Sequence, residues 1–172
     1  MPKFMPFKDV PFGDAKTFNV VVEVPAGGQK KYEYDSEMDA IKLGEVLYDD
    51  LRFPFNYGHV PKTLAGDNDL LDAFVISSYP ITTGTVVECR AVGLLEVMDR
   101  GKRDNKILAI PVNDTRFNQI QNIEDVPAAD IEKFKSFYAA LPAAWNREIT
   151  LAGIKNKEAA VKELLLTQEL AD

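Results

Sequence analysis

A chain of 172 residues, 46% hydrophobic and 10% aromatic, is long and apolar enough to bury a core and too apolar to be disordered. Its net charge of −7 argues against a nucleic-acid partner, which calls for a basic face, but leaves an anionic substrate open, because bound metals reverse the local sign. The single cysteine, Cys89, excludes an intramolecular disulfide, no stretch has membrane-spanning length, and Pro2, Pro6 and Lys8 interrupt any leader-like run; one cytoplasmic domain over residues 1–172, without membrane or nucleic-acid partners, is the expectation.

Residues 1–17 carry Pro2, Pro6, Pro11 and Gly13 and read as an irregular, extended arm. Phe18 to Pro25 reads as a strand, with Val20, Val22 and Val24 on one face and Asn19, Val21 and Glu23 on the other. Ala26-Gly27-Gly28 is turn chemistry, and Lys30 to Tyr34 follows as a second strand with Lys31 and Glu33 on one face. A hairpin with Glu23, Lys31 and Glu33 on one surface is one reading; a solvated polar face is the other. Residues 35–65 mix short strands with turns. Within them, Phe53 to Val60 (FPFNYGHV) reads as ordered loop, and His59, the only histidine, excludes a His-rich zinc site.

The stretch with most chemical content is Gly66 to Ser77, GDNDLLDAFVIS. Asp67, Asp69 and Asp72 lie within six residues, where unpaired carboxylates repel one another; hard divalent cations among the oxygens would relieve that. An EF-hand is excluded, because counting from Asp67 the fifth, sixth and twelfth places hold Leu71, Asp72 and Ser78. Ala73 to Tyr79 and Thr85 to Val97 are strands joined by a turn, with Cys89 a small buried hydrophobe in the second. The charged loop Met98 to Lys106 brings Asp99, Asp104 and four basic residues before a return strand at Ile107 to Val112. Two helices end the chain. The first begins near Pro127, puts Ile131, Phe134, Tyr138 and Leu141 on one face and stops at Pro142; the second runs from Asn156 to Leu170 with Ala160, Val161, Leu164 and Leu165 inward. Strands first and helices last indicate an α+β fold.

The run Asp67-Asn68-Asp69-Leu70-Leu71-Asp72-Ala73 resembles the signature of the soluble family I inorganic pyrophosphatases, departing from it only at Leu70. The resemblance extends from about Val20 to Tyr138, with a weaker echo at Gly153 to Ala160, and implies a small five-stranded OB-like β-barrel with flanking α-helices. It implies Mg²⁺-dependent hydrolysis of pyrophosphate to two phosphates, with Mn²⁺ or another divalent ion as a substitute and a hexameric homo-oligomer as the assembly. By the same resemblance Asp67, Asp72 and Asp104 are ligands of the tightest metal site, Asp99 with Asp104 holds a further metal, and Glu23 and Glu33 hold a substrate-borne one. Asp69 accepts the proton of the attacking water, and Lys31, Lys106, Tyr57 and Tyr138 contact the phosphates. Three family positions differ: Glu45 stands for an arginine, Phe53 for a tyrosine and Ala139 for a lysine, all on the phosphate side, with Arg52 a nearby replacement cation. Seven acids against two lysines define the expected pocket. The alternatives are a pyrophosphatase-like metal-binding protein with weak or lost activity, and a hydrolase of another phosphorylated substrate.

Overall fold

The structure is a computed structural model that describes residues 5–48 and 50–172, so residues 1–4 of the expected arm, Pro2 among them, lie outside the description. Along the described chain run β1 (Phe18–Val24), β2 (Lys30–Asp35), β3 (Ala40–Val46), β4 (Asn56–Val60), β5 (Leu71–Val75), β6 (Val86–Asp99), β7 (Lys102–Arg103), β8 (Lys106–Pro111), α1 (Ala128–Trp145), β9 (Ile149–Lys155) and α2 (Lys157–Ala171). β1 pairs with β4, β4 with β5, β5 with β8 in parallel, β8 with β6, and β6 returns to β1. Five strands therefore close into a ring, the OB-like α+β architecture that the sequence predicts. β6 serves four partners because it is long, the short β7 pairing with its last two residues. Its first residues, Val86 to Cys89, face β1, its middle faces β8, and Leu94 to Asp99 face β9.

Period-two alternation sorts the ring's side chains into two cores. Val20, Ala73, Val75, Cys89, Ala91, Ile107 and Ala109 join one cluster, which Ala160 and Leu164 of α2 complete. Phe74, Ile76, Val92, Leu95, Leu108 and Ile110 join the other, against Phe134, Phe137, Tyr138 and Leu141 of α1. Small residues dominate the first set, as the inside of a narrow barrel requires. Phe74 is the hinge of the second: its ring meets Phe134 at 5.1 Å and Tyr57 at 5.0 Å between centroids, both edge-on.

Several sequence expectations change. The predicted hairpin of the first two strands does not form; β2 pairs with β3 in a separate two-stranded sheet, while β1 sits inside the ring. Phe53 to Val60 is not all loop. Asn56–Val60 is a central strand buried at every residue, and a strand buried on both faces shows no alternation to read. Gly58 permits its position, since a Cβ there would stand 2.0 Å from the Val21 carbonyl oxygen. Pro142 does not end α1. Its missing N–H removes only the bond to the Tyr138 carbonyl, and the helix continues to Trp145 before Asn146 turns left-handed at φ 48°. In α2, capped by Asn156 accepting from the Ala159 N–H at 3.0 Å, the buried residues are Ala160, Glu163, Leu164 and Thr167, whereas Leu165 is exposed. β9, which the sequence reading leaves unassigned, is an edge strand on the end of β6. Among the described residues, no helix is long and apolar enough to cross a membrane.

Candidate active site

The aspartate loop joins β4 to β5 and is held at both ends. Thr63 Oγ1 donates to the Val60 carbonyl at 2.6 Å and accepts from the Leu71 N–H at 2.9 Å, closing the loop at its base. Inside it, the Ala65 N–H donates to the Asp69 carbonyl at 2.7 Å, and Asn68 takes the left-handed conformation, φ 66°, that asparagine tolerates. The Asp69 N–H donates to Asp67 Oδ1 at 3.1 Å, which aims the Asp67 carboxylate back over the turn.

The parallel pairing of β5 with β8 then sets Asp72 directly beside Lys106. The Lys106 side chain is buried and its Nζ lies 2.8 Å from Asp72 Oδ2 and 2.7 Å from Asp104 Oδ1, with the Tyr57 ring 5.5 Å away. The Tyr57 hydroxyl also donates to Asp72 Oδ2. Around this knot opens a cleft of about 190 Å³ lined by Lys31, Glu33, Glu45, Tyr57, Asp67, Asp69, Asp72, Asp99, Asp104, Lys106 and Tyr138, with Phe53, Arg100, Trp145 and Arg147 also on its walls. Ten of the eleven residues predicted from the sequence thus meet in one place. The eleventh, Glu23, is buried and lines an adjoining cavity of about 70 Å³ that shares Lys31, Glu33, Tyr57, Asp69 and Asp72 with the cleft. Although β1 and β2 do not pair, the Tyr34 N–H of β2 donates to Glu23 Oε2 at 2.6 Å, so Glu23 and Glu33 still share a wall. His59, which the sequence reading leaves in a loop, is buried in β4, with Nδ1 3.5 Å from Glu23 Oε2 and its ring stacked on Tyr34 at 4.9 Å.

Electrostatics differ from one carboxylate to the next. Burial pushes Asp67 up to about 6, and the neighbouring Asp104 adds to the effect. Burial would also raise Asp72, but Lys106 and the Tyr57 hydroxyl outweigh it and hold the carboxyl below its ordinary range. For Lys106, burial opposes the charge, and Asp72 and its other neighbours more than restore it, so its pKa is raised. Glu23 is raised by burial, against the pull of His59. Tyr57 and Tyr138 are raised as well, first by burial, and both stay protonated donors at neutral pH. Tyr138 is at once core and wall: it packs at 5.4 Å on Phe137 and lines the cleft.

Glu45, which the sequence reading sets on the phosphate side, enters the cleft. Sequence reasoning missed Trp145 and two guanidinium groups, Arg100 and Arg147, which both bond Asp99, at 3.0 Å and 3.1 Å. Trp145 closes the wall beside them. Arg52, the sequence candidate for a replacement cation, turns away and donates to the Gly27 carbonyl at 3.2 Å. No local signal marks Arg147, which lies 43 positions beyond Asp104 and reaches the cleft only because α1 folds back.

Residues 20–171 match the family model for inorganic pyrophosphatase. The chain belongs to the inorganic pyrophosphatase family. It is 40% identical over 162 residues to the inorganic pyrophosphatase of Thermus thermophilus, covering 91% of this chain and 93% of that one. It is 33% identical to soluble inorganic pyrophosphatase 1 of Arabidopsis thaliana, over 96% of this chain and 79% of the plant protein. The crystal structure of the Thermus thermophilus pyrophosphatase superposes with a TM-score of 0.90 at 37% identity, covering 97% of this chain and 99% of that chain. The Helicobacter pylori pyrophosphatase also superposes with a TM-score of 0.90, at 33% identity, with 95% and 97% covered.

Proposed function

We propose that this chain, as a single pyrophosphatase-like domain, hydrolyses inorganic pyrophosphate to two phosphates with Mg²⁺ as its cofactor, and that Asp69 receives the proton of the attacking water. The observation that carries the reading is the convergence of Asp72 and Asp104 on one buried ammonium, with Asp67 and Asp69 lining the same cleft. Among the described residues, no three acidic, histidine or cysteine side chains already surround one point as a metal would draw them; Lys106 Nζ stands between two of the carboxylates. The donor set still fits a hard divalent ion, because it is all oxygen and carries several negative charges. Asp67, Asp72 and Asp104 would hold the first ion, Asp99 with Asp104 a second, and Glu23 and Glu33 an ion arriving with the substrate. When bound, such ions supply Lewis acidity to water and to the phosphoryl oxygens.

The chain's own groups do the rest. Lys31 and Lys106 place positive charge against the phosphates, and Tyr57 and Tyr138, kept protonated by burial, donate hydrogen bonds to them. Asp69 is the exposed aspartate of the loop; its N–H donates to Asp67, its carbonyl accepts from the Ala65 N–H and its carboxylate accepts from the Leu70 N–H, which supports a fixed place for the proton acceptor. A cytoplasmic homo-oligomer, hexameric by the family resemblance, completes the proposal; the exposed Leu165, Leu166 and Leu170 of α2 offer an apolar face for assembly.

Phosphate release from pyrophosphate, with Mg²⁺ and with EDTA, tests the reading. Release that needs Mg²⁺ and falls by about 10²–10⁴ in Asp69→Asn, while calorimetric Mg²⁺ binding persists, is expected. No release by the unsubstituted chain would favour a metal-binding protein without this chemistry, and undiminished turnover in Asp69→Asn would remove that residue from its role.

A further inference from the structure

The turn between α1 and β9 brings a cation to the cleft that no part of the aspartate motif announces. Asn146 adopts a left-handed conformation and the Arg147 N–H donates to the Pro142 carbonyl at 3.2 Å, so Trp145 and Arg147 are delivered together. The Arg147 guanidinium lies 4.5 Å from the Trp145 ring centroid, and Lys31 Nζ lies 5.2 Å from the same centroid. Two cations therefore flank one indole. Their acidic neighbours are also adjacent, because Lys31 and Glu45 are cross-strand partners in the β2–β3 sheet and Glu45 Oε1 is 3.5 Å from Arg147 Nη1.

This cluster has unused hydrogen-bonding capacity. Among the described residues, the Arg147 Nε and the Trp145 Nε1 are both buried without a partner, a costly state for an N–H group. Arg147 instead shares Asp99 with Arg100. Asp99 needs only one of them, and less than that if a divalent ion takes its oxygens, whereas a planar fork with a free donor suits a tetrahedral oxyanion. Lys31 is already tied to Glu33 at 2.5 Å, so the added cation also changes how many charges face an anion on this wall.

We infer that Arg147 is a phosphate-binding residue of this cleft: it leaves Asp99 for the anion when divalent ions load the carboxylates, with Trp145 as its stacking support and Glu45 as the tether that keeps it beside Lys31. The inference rests on the hydrolysis reading for the identity of the anion, but not for the existence of the subsite. It assigns to Arg147 the phosphate-side charge that position 45 does not supply.

The test measures binding of imidodiphosphate, a pyrophosphate analogue with a nitrogen bridge, to the full chain at saturating Mg²⁺, and separately Mg²⁺ binding without anion. Arg147→Gln should weaken analogue binding by about tenfold to a hundredfold, the loss of one charge-assisted contact. Mg²⁺ affinity should stay equal or improve, because a competitor for Asp99 has gone. Arg147→Lys, which keeps the charge and loses the fork, should lie between the two. Adding Glu45→Gln to Arg147→Gln should recover part of the loss by removing an unpaired carboxylate from the wall. Analogue binding within twofold of the unsubstituted chain in both Arg147 variants would overturn the assignment. So would parallel losses of Mg²⁺ affinity and melting temperature, which mark a merely structural side chain. If the unsubstituted chain binds the analogue through Arg147 but releases no phosphate, the hydrolysis reading fails and this one stands; if it binds no anion at all, both fail.

Discussion

Asp67→Asn should stabilise the metal-free protein at neutral pH, a substitution in the heart of the proposed site that strengthens the fold. The Asp67 carboxyl is pushed up to about 6 from an ordinary 3.8 by burial and by Asp104. Between those values the folded state holds a proton that the unfolded state has lost, so stability falls as pH rises from about 4 to about 6 and stays reduced above it. Two units correspond to ~3 kcal/mol for a fully buried group; Asp67 is only partly buried, and solvent screening brings the expectation to roughly 1–1.5 kcal/mol. Asparagine retains the oxygen that accepts from the Asp69 N–H and carries no charge, so it should recover that amount at pH 7.5, a rise of about 2–5 °C in melting temperature. Most of the gain should vanish by about pH 4, where the native aspartate is already neutral. Thermal unfolding in EDTA at the two pH values measures both. A variant less stable at pH 7.5, or one gaining equally at both pH values, would refute the account of the loop as a place where charge is held under strain.

Two further substitutions test the parts around it. Lys106→Met removes the ammonium between Asp72 and Asp104 and should cost about 3–5 kcal/mol in EDTA, with Mg²⁺ returning more stability to the variant than to the unsubstituted chain; equal Mg²⁺ stabilisation would mean that ammonium and metal do not compete. Gly58→Ala places a methyl 2.0 Å from the Val21 carbonyl oxygen, so β1 and β4 must separate, with at least about 3 kcal/mol lost in urea unfolding; near-native stability would show that the two strands can part without cost.

What the sequence made legible follows physical rules. The strands are legible from their β-branched residues, whereas their closure into a ring follows only from the resemblance to a family of known shape; the aspartates are legible because they sit together in the chain. β4 was obscured by its own burial. Asn56, Tyr57, Gly58 and His59 look like turn chemistry, yet each is used in a strand: Asn56 Oδ1 accepts from the Ala26 and Ile81 N–H groups at 2.9 Å and 2.8 Å, and Gly58 admits a neighbouring backbone. β9 was hidden because an edge strand depends on its partner, here the far end of β6, rather than on its own pattern. The exposure of Leu165 was missed because helical periodicity gives a stripe but not its centre, and Glu163, paired with Arg103, occupies the buried side. The Arg147 contacts were out of reach for a different reason: they join residues 48 and 102 positions apart through a left-handed turn.

Those contacts alter the charge argument that the sequence invites. Counted along the chain, the pocket is seven acids facing two lysines, too negative to admit pyrophosphate without heavy metal loading. In the fold, Glu45 joins the cleft while Arg100 and Arg147 join the cations, and several of the acids already hold a cationic partner. Asp72 and Asp104 share Lys106, Glu33 holds Lys31, and Asp99 holds two guanidinium groups. The metal-free cleft is thus internally neutralised wherever a cation reaches; among the described residues Asp67 and Asp69 have no such partner, and Asp67 is raised to about 6. On the proposed reading, a divalent ion held by Asp72, Asp104 or Asp99 would displace Lys106 or Arg147, and each displaced side chain would become a positive charge free to meet a phosphate. Metal binding and anion binding would then be coupled through the same residues: the ion would not only lower the negative potential but also release the groups proposed to bind the substrate. Such coupling is reciprocal, so pyrophosphate should raise the affinity of the metal as much as the metal raises the affinity of pyrophosphate, and a cleft that is negative by count accepts a polyanion.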